Sequence, residues 1–161
     1  MLRYVFMAAA AATIMTVSSP AIPEENLING DLVVIVNSGN SINRLSRSDL
    51  EKIFLGKRGF WEWGKRIKTV DLIEPELKEE DTSRAVFSHS FLNRNLAALK
   101  SYWIIVIFSG KGQPPLTFGK PEDVINFVSG NQEAIGYVRK EDFPGENMKV
   151  AKVVIFHIVD E

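Results

Sequence analysis

The chain has 161 residues, 45% of them apolar, and a formal net charge of −1. That length holds one hydrophobic core but not two, and the apolar share excludes a disordered polymer. The charge balance excludes a global basic field for nucleic acid or an anionic membrane, so any anion site must be built locally.

Cysteine is absent, which removes disulfides, thiolate metal sites, thiol catalysis and a lipoprotein anchor. Residues 1–21 have a short basic start at Arg3 and an apolar run from Tyr4 to Val17. Ser19 and Ala21 then stand in the minus-three and minus-one places. That is the layout of a cleaved secretory signal, and the run is too short to span a bilayer comfortably. The alternative is an uncleaved amino-terminal anchor, because Pro20 and Pro23 crowd the cut. The expectation is export to the periplasm, no stable membrane span after signal removal, and one domain over residues 22–161.

"DLVVIVN" (31–37) is a compact β-branched run that reads as a strand buried on both faces, hence a central parallel one. The polar turn "NSGNSIN" follows. In "LSRSDLEKIFLG", Ser46 and Asp49 form a capping box, Leu50, Ile53 and Phe54 make one apolar face, and Gly56 supplies the stop. "RIKTVDLI" (66–73) is a second strand. An acidic loop with Pro75 leads to a helix capped by Asp81 or Thr82, with Phe87 and Phe91 four apart.

"LAALKSYWIIVIF" is ambiguous. Leu96, Leu99, Trp103 and Val106 or Ile107 fit helical spacing, whereas "WIIVIF" alone has strand chemistry; the leading "LAALK" favours a helix. "SGKGQPP" (109–115) is a loop, and "KPEDVINFVSG" a helix with Pro121 in its first turn and Gly130 after its last. "EAIGYV" and "MKVAKVVIFHIV" end the chain as strands. The fold class expected is α/β, a small mixed sheet flanked by helices.

Four segments in fixed order, "LVVIVN", "LSRSDLEKIFLGKRGFWEWGKRIKTVD", "FSGKGQPP" and "EAIGYV", resemble the phosphate-type substrate-binding proteins of ABC importers, and in particular short single-lobe relatives. The resemblance covers roughly Leu32 to Val138. It implies one lobe of a type II periplasmic binding protein fold, with an oxyanion held at strand ends and helix N-termini. Full-length relatives clamp the anion between two lobes, and the matching segments belong to the second. There the family has an arginine ending the second strand and a Ser-Gly-Thr turn opening the next helix. This chain has "VDLIEPELKEE" and "DTSRAVF" instead, so Thr82 and Ser83 stand where those hydroxyls would be, amid Glu74, Glu76, Glu79, Glu80 and Asp81. Carboxylates so close weaken anion binding.

The candidate ligand residues are therefore Asn37 and Ser38 past the first strand, Thr82, Ser83 and Arg84 at the helix start, and Ser109 and Lys111 in the glycine loop. Each has a plainer reading as a turn or cap. Lys57, Arg58, Lys65 and Arg66 around Phe60, Trp61 and Trp63 make either a cationic rim with aromatic platforms or a solvated loop whose Trp61 covers the core. His89 and His157 show no metal spacing or hydrolase pattern, so neither an enzyme nor a metal or other cofactor is expected. Two functions follow. One is weak binding of phosphate or a similar oxyanion in connection with ABC-type transport and its permease. The other is a single-lobe interaction module that has lost its ligand and contacts another exported protein or a sensor through the Trp61–Trp63 loop.

Overall fold

The computed structural model describes residues 32–145, 150–152 and 154–156. The leader read in residues 1–21 lies outside them, as do His157 and the ends of the last predicted strand. The elements run β1 (Leu32–Asn37), β2 (Arg44–Ser46), α1 (Arg47–Phe54), β3 (Lys68–Leu72), α2 (Ser83–Phe91) and α3 (Leu96–Phe108). After them come β4 (Leu116–Phe118), α4 (Pro121–Gly130), β5 (Ala134–Arg139), β6 (Val150–Lys152) and β7 (Val154–Phe156).

The main sheet has the order β4-β3-β5-β1-β6, and β2 and β7 form a separate parallel pair. β3 runs parallel to β4 and β5, whereas β1 runs antiparallel to both β5 and β6. The mixed α/β architecture expected from the sequence is thus present. The parallel setting expected for β1 is not. Residues 32–36 are buried, as the unbroken apolar run requires. That burial comes from helices on both faces of the sheet, and it carries no information about the direction of the neighbouring strands.

Successive residues of β5 show the layering. Gly136 faces α4, so closely that a Cβ there would come within 3.1 Å of the Val124 side chain. Tyr137 points the other way, stacked on Phe87 of α2 with ring centroids 4.1 Å apart and tilted against Phe54 of α1 at 5.7 Å. α4 therefore covers one face and α1 with α2 the other, while α3 packs outside α2 through Leu99 and Trp103.

Local signals set the helix ends. Ser46 caps α1 by accepting from the Asp49 amide at 3.0 Å, and its hydroxyl donates to the Asp49 carboxylate at 2.7 Å. Gly56, at φ +68°, ends the turn beneath Trp103. Thr82 caps α2 and Asn95 caps α3, which stays helical through "WIIVIF". Gly130 is the last residue of α4 rather than the one beyond it. The three-residue strands β2 and β4 were not expected; so short a run has no periodicity to read.

Candidate functional site

The carboxyl ends of β3, β4 and β5 share one edge of the sheet, where open α/β sheets hold ligands. From β3 the chain runs through Ile73, whose amide donates to the Phe118 carbonyl, into the acidic loop and a single 3-10 turn at Glu79–Asp81. Thr82 then opens α2. Its hydroxyl donates to the Glu79 carbonyl at 2.8 Å and accepts from the Ala85 amide at 3.3 Å, so both roles are spent on the helix start.

What occupies the α2 amino end is a carboxylate of this chain. Glu74 Oε2 accepts from the Ser83 amide at 2.9 Å, and Oε1 accepts from the Ser83 hydroxyl. Arg139, the last residue of β5, donates from Nε to the same Oε1 at 3.2 Å and from Nη2 to the Asp81 carbonyl at 2.7 Å. Glu74 and Ser83 are buried. An amide at a helix start, a hydroxyl and a guanidinium thus converge on one pair of anionic oxygens.

Beneath this lies a second buried charge. Asp71 Oδ1 accepts from the Tyr137 phenol at 3.0 Å, and Oδ2 faces Arg84 Nε at 3.1 Å in a charge contact without hydrogen-bond alignment. Burial pushes the Asp71 carboxyl up to about 6, with Arg84 and then Tyr137 pulling it back. Burial, then the Asp71 charge, pushes the Tyr137 phenol up.

Of the candidate ligand residues, Thr82, Ser83 and Arg84 lie at this edge, but Arg84 turns inward to Asp71. Asn37 and Ser38 lie at the opposite edge, because β1 is reversed: Leu32 sits across from Arg139, and Val36 from Ile135. A six-residue strand puts roughly 17 Å between the two groups. Asn37 closes the end of α4 there, donating to the carbonyls of Val128 at 3.0 Å and Ser129 at 2.7 Å. Ser38 is exposed in the turn. Ser109 and Lys111 finish α3; the Lys111 amide donates to the Val106 carbonyl at 3.1 Å, and Ser109 Oγ to the same carbonyl at 3.0 Å. These donors close a helix instead of lining an anion nest. The residues expected to share one site are not brought together.

In the basic aromatic loop Trp61 is core cover and Trp63 is partly buried over it, while Phe60, Lys65 and Arg66 are exposed. Trp61 is 2% exposed, stacks on Trp63 at 5.2 Å and donates from Nε1 to the Glu133 carbonyl at 2.9 Å. Arg58 pairs with Asp49 at 3.2 Å and Glu62 at 3.8 Å, and Lys57 with Glu51 at 3.6 Å. Sequence reasoning missed Glu74 as a partner, and Asp71, Tyr137 and Arg139 altogether. Asp71 had a signal, a lone acid inside an apolar strand.

No protein-family model matches the sequence, and no curated protein matches it. Solved structures do. A putative phosphate ABC transporter substrate-binding protein from Clostridium perfringens, with bound phosphate, is 18% identical at a TM-score of 0.55; the match covers 78% of this chain and 45% of that one. PstS from Borrelia burgdorferi is 14% identical at 0.54, over 78% and 47%. An ABC-type phosphate transport receptor from Vibrio cholerae is 14% identical at 0.50, over 78% and 46%. The chain has the fold of one lobe of the phosphate-type binding proteins. It spans a little under half the length of these structures, which agrees with the short single-lobe resemblance seen in the sequence. The structures it resembles are binding proteins, and among the described residues no helix is long and apolar enough to cross a membrane.

Proposed function

We propose that the protein is an exported, non-enzymatic solute-binding lobe that takes phosphate or a similar oxyanion weakly at the amino end of α2, in connection with ABC-type phosphate transport. The observation that carries this reading is the cradle of Ser83 and Arg139 around Glu74. It has the donor chemistry an oxyanion needs, and its present occupant is itself an oxyanion. A tethered carboxylate competes at an effective concentration on the order of millimolar, so a free anion must exceed that to enter. Weak binding follows from this competition and not from a lack of donors.

Thermal unfolding in phosphate tests it, because a ligand specific to the folded state raises the midpoint by mass action. Wild type should shift little below about 1 mM phosphate, and Glu74→Ala should bind phosphate at least tenfold more tightly. Glu74→Gln removes the charge but keeps the side chain, and should fall between. A folded Glu74→Ala protein that shows no phosphate-dependent shift would overturn the proposal.

A second reading is favoured by the burial and mutual satisfaction of Glu74 and Ser83: an interaction module whose ligand edge is closed. Its surface cannot be Trp61, which is in the core.

A further inference from the structure

α3 presents two different faces. Leu99 and Trp103 are buried and Val106 is half-buried against the domain. On the outer side of the last two turns, Ile105 is 69% exposed and Phe108 88%, with Ile104 and Ile107 about half exposed beside them. Single exposed apolar residues are ordinary, but four in two turns of one helix make a patch that needs a partner.

We propose that this end of α3 is a docking surface for an anionic lipid bilayer, with Ile104, Ile105, Ile107 and Phe108 entering the interface and Lys100 and Lys111 meeting lipid phosphates. The charge pattern selects this occupant. Residues 83–121 contain no aspartate or glutamate but five lysines and arginines, in a chain whose net charge is −1. Arg84 faces Asp71, and Arg94 lies over the Tyr102 ring at 5.0 Å. Lys100 and Lys111 are exposed and bracket the patch, one turn before Ile104 and three residues after Phe108. α3 is apolar on both sides, one packed on the domain and one open, and an open apolar strip bracketed by cations gains affinity for a bilayer from buried apolar area plus attraction to anionic headgroups.

A second copy of this chain fits worse. Antiparallel pairing of two such helices about residues 105–106 brings Lys100 of one towards the helix end that leads to Lys111 of the other. Glu79 and Glu80 stand across the α2–α3 groove from Lys100, at the helix's other end. They would be repelled by an anionic surface, which tilts the domain so that Phe108 enters first.

Because the chain has no cysteine, single substitutions can report locally. The full chain carrying Ile105→Cys, labelled with a polarity-sensitive fluorophore, is titrated with vesicles of equal phosphatidylcholine and phosphatidylglycerol. The same label at Asn126→Cys on α4, across the sheet, is the control. The expected result is a blue shift at residue 105 and none at 126. Adding Lys100→Gln and Lys111→Gln should raise the lipid concentration needed at least tenfold and remove the salt dependence. Adding Phe108→Glu should abolish the shift while circular dichroism stays unchanged. The proposal is overturned if the label at 105 stays in water although the protein sediments with vesicles, since the leader then does the binding. It is equally overturned if pure phosphatidylcholine gives the same shift, or if the shift appears without lipid as the protein dimerises.

Discussion

Asp71 and Glu74 are two carboxylates three residues apart on one chain segment, and each is anchored by an arginine and a hydroxyl, Arg84 and Tyr137 for the first, Arg139 and Ser83 for the second. For Asp71 the desolvation cost exceeds what its partners return, so its folded pKa, about 6, lies above the ordinary 3.8. An acid whose pKa is raised by folding contributes stability that is complete below 3.8 and is lost as pH rises through about 6. A rise of about two units corresponds to roughly 3 kcal/mol. Urea unfolding should therefore show wild type losing on the order of 3 kcal/mol relative to Asp71→Asn between pH 4 and pH 7. Equal pH dependence in the two proteins would refute the assignment. Glu74 could be seen in the sequence as an acid near the expected anion position. Sequence distance counted it as repulsion, because a carboxylate can take the anion's place only if the loop folds back, and nothing local specifies that fold-back.

Among the elements, helix ends were the most readable because their determinants are local. Ser46, Thr82 and Asn95 all cap as their chemistry requires, each accepting from an amide three residues on. Ser46→Ala should cost about 1 kcal/mol in chemical denaturation. The same hydroxyl is the largest influence holding the Asp49 carboxyl below its ordinary range, ahead of Arg58 and Lys52. The substitution should therefore also move the Asp49 titration upward in carbon-detected NMR, an effect that simple loss of packing would not produce. Strand direction was not readable. Residues 32–36 have the same alternation-free burial whether β5 runs with them or against them. That one reversal carries Asn37 and Ser38 to the far edge and dissolves the site expected from linear order.

At the scale of the whole molecule, the order of quoted motifs was enough to recognise the lobe, and solved structures match over 78% of the chain at under 20% identity. Shape survives such divergence because it needs only apolar residues at layer positions, whereas a ligand site needs particular donors left open. Trp61 shows the difference: it joins the α1–β3 connection to the carbonyl just before β5, and it is 2% exposed. Trp61→Ala should destabilise the domain by about 3–5 kcal/mol, read as an earlier cooperative unfolding midpoint with every probe. Loss of a local loop signal with the global midpoint unchanged would refute that.

The choice of partners for β1 also sets a timetable. Its sheet neighbours are β5, with Leu32 opposite Arg139, and β6, with Asn37 opposite Val150, both more than a hundred residues downstream. Such distant pairing delays folding, since a long loop must close before the contact rewards it. A ribosome that has not yet made Gly136 holds a nascent chain whose apolar β1 segment has no edge to join, so truncated products should be sticky and quickly degraded.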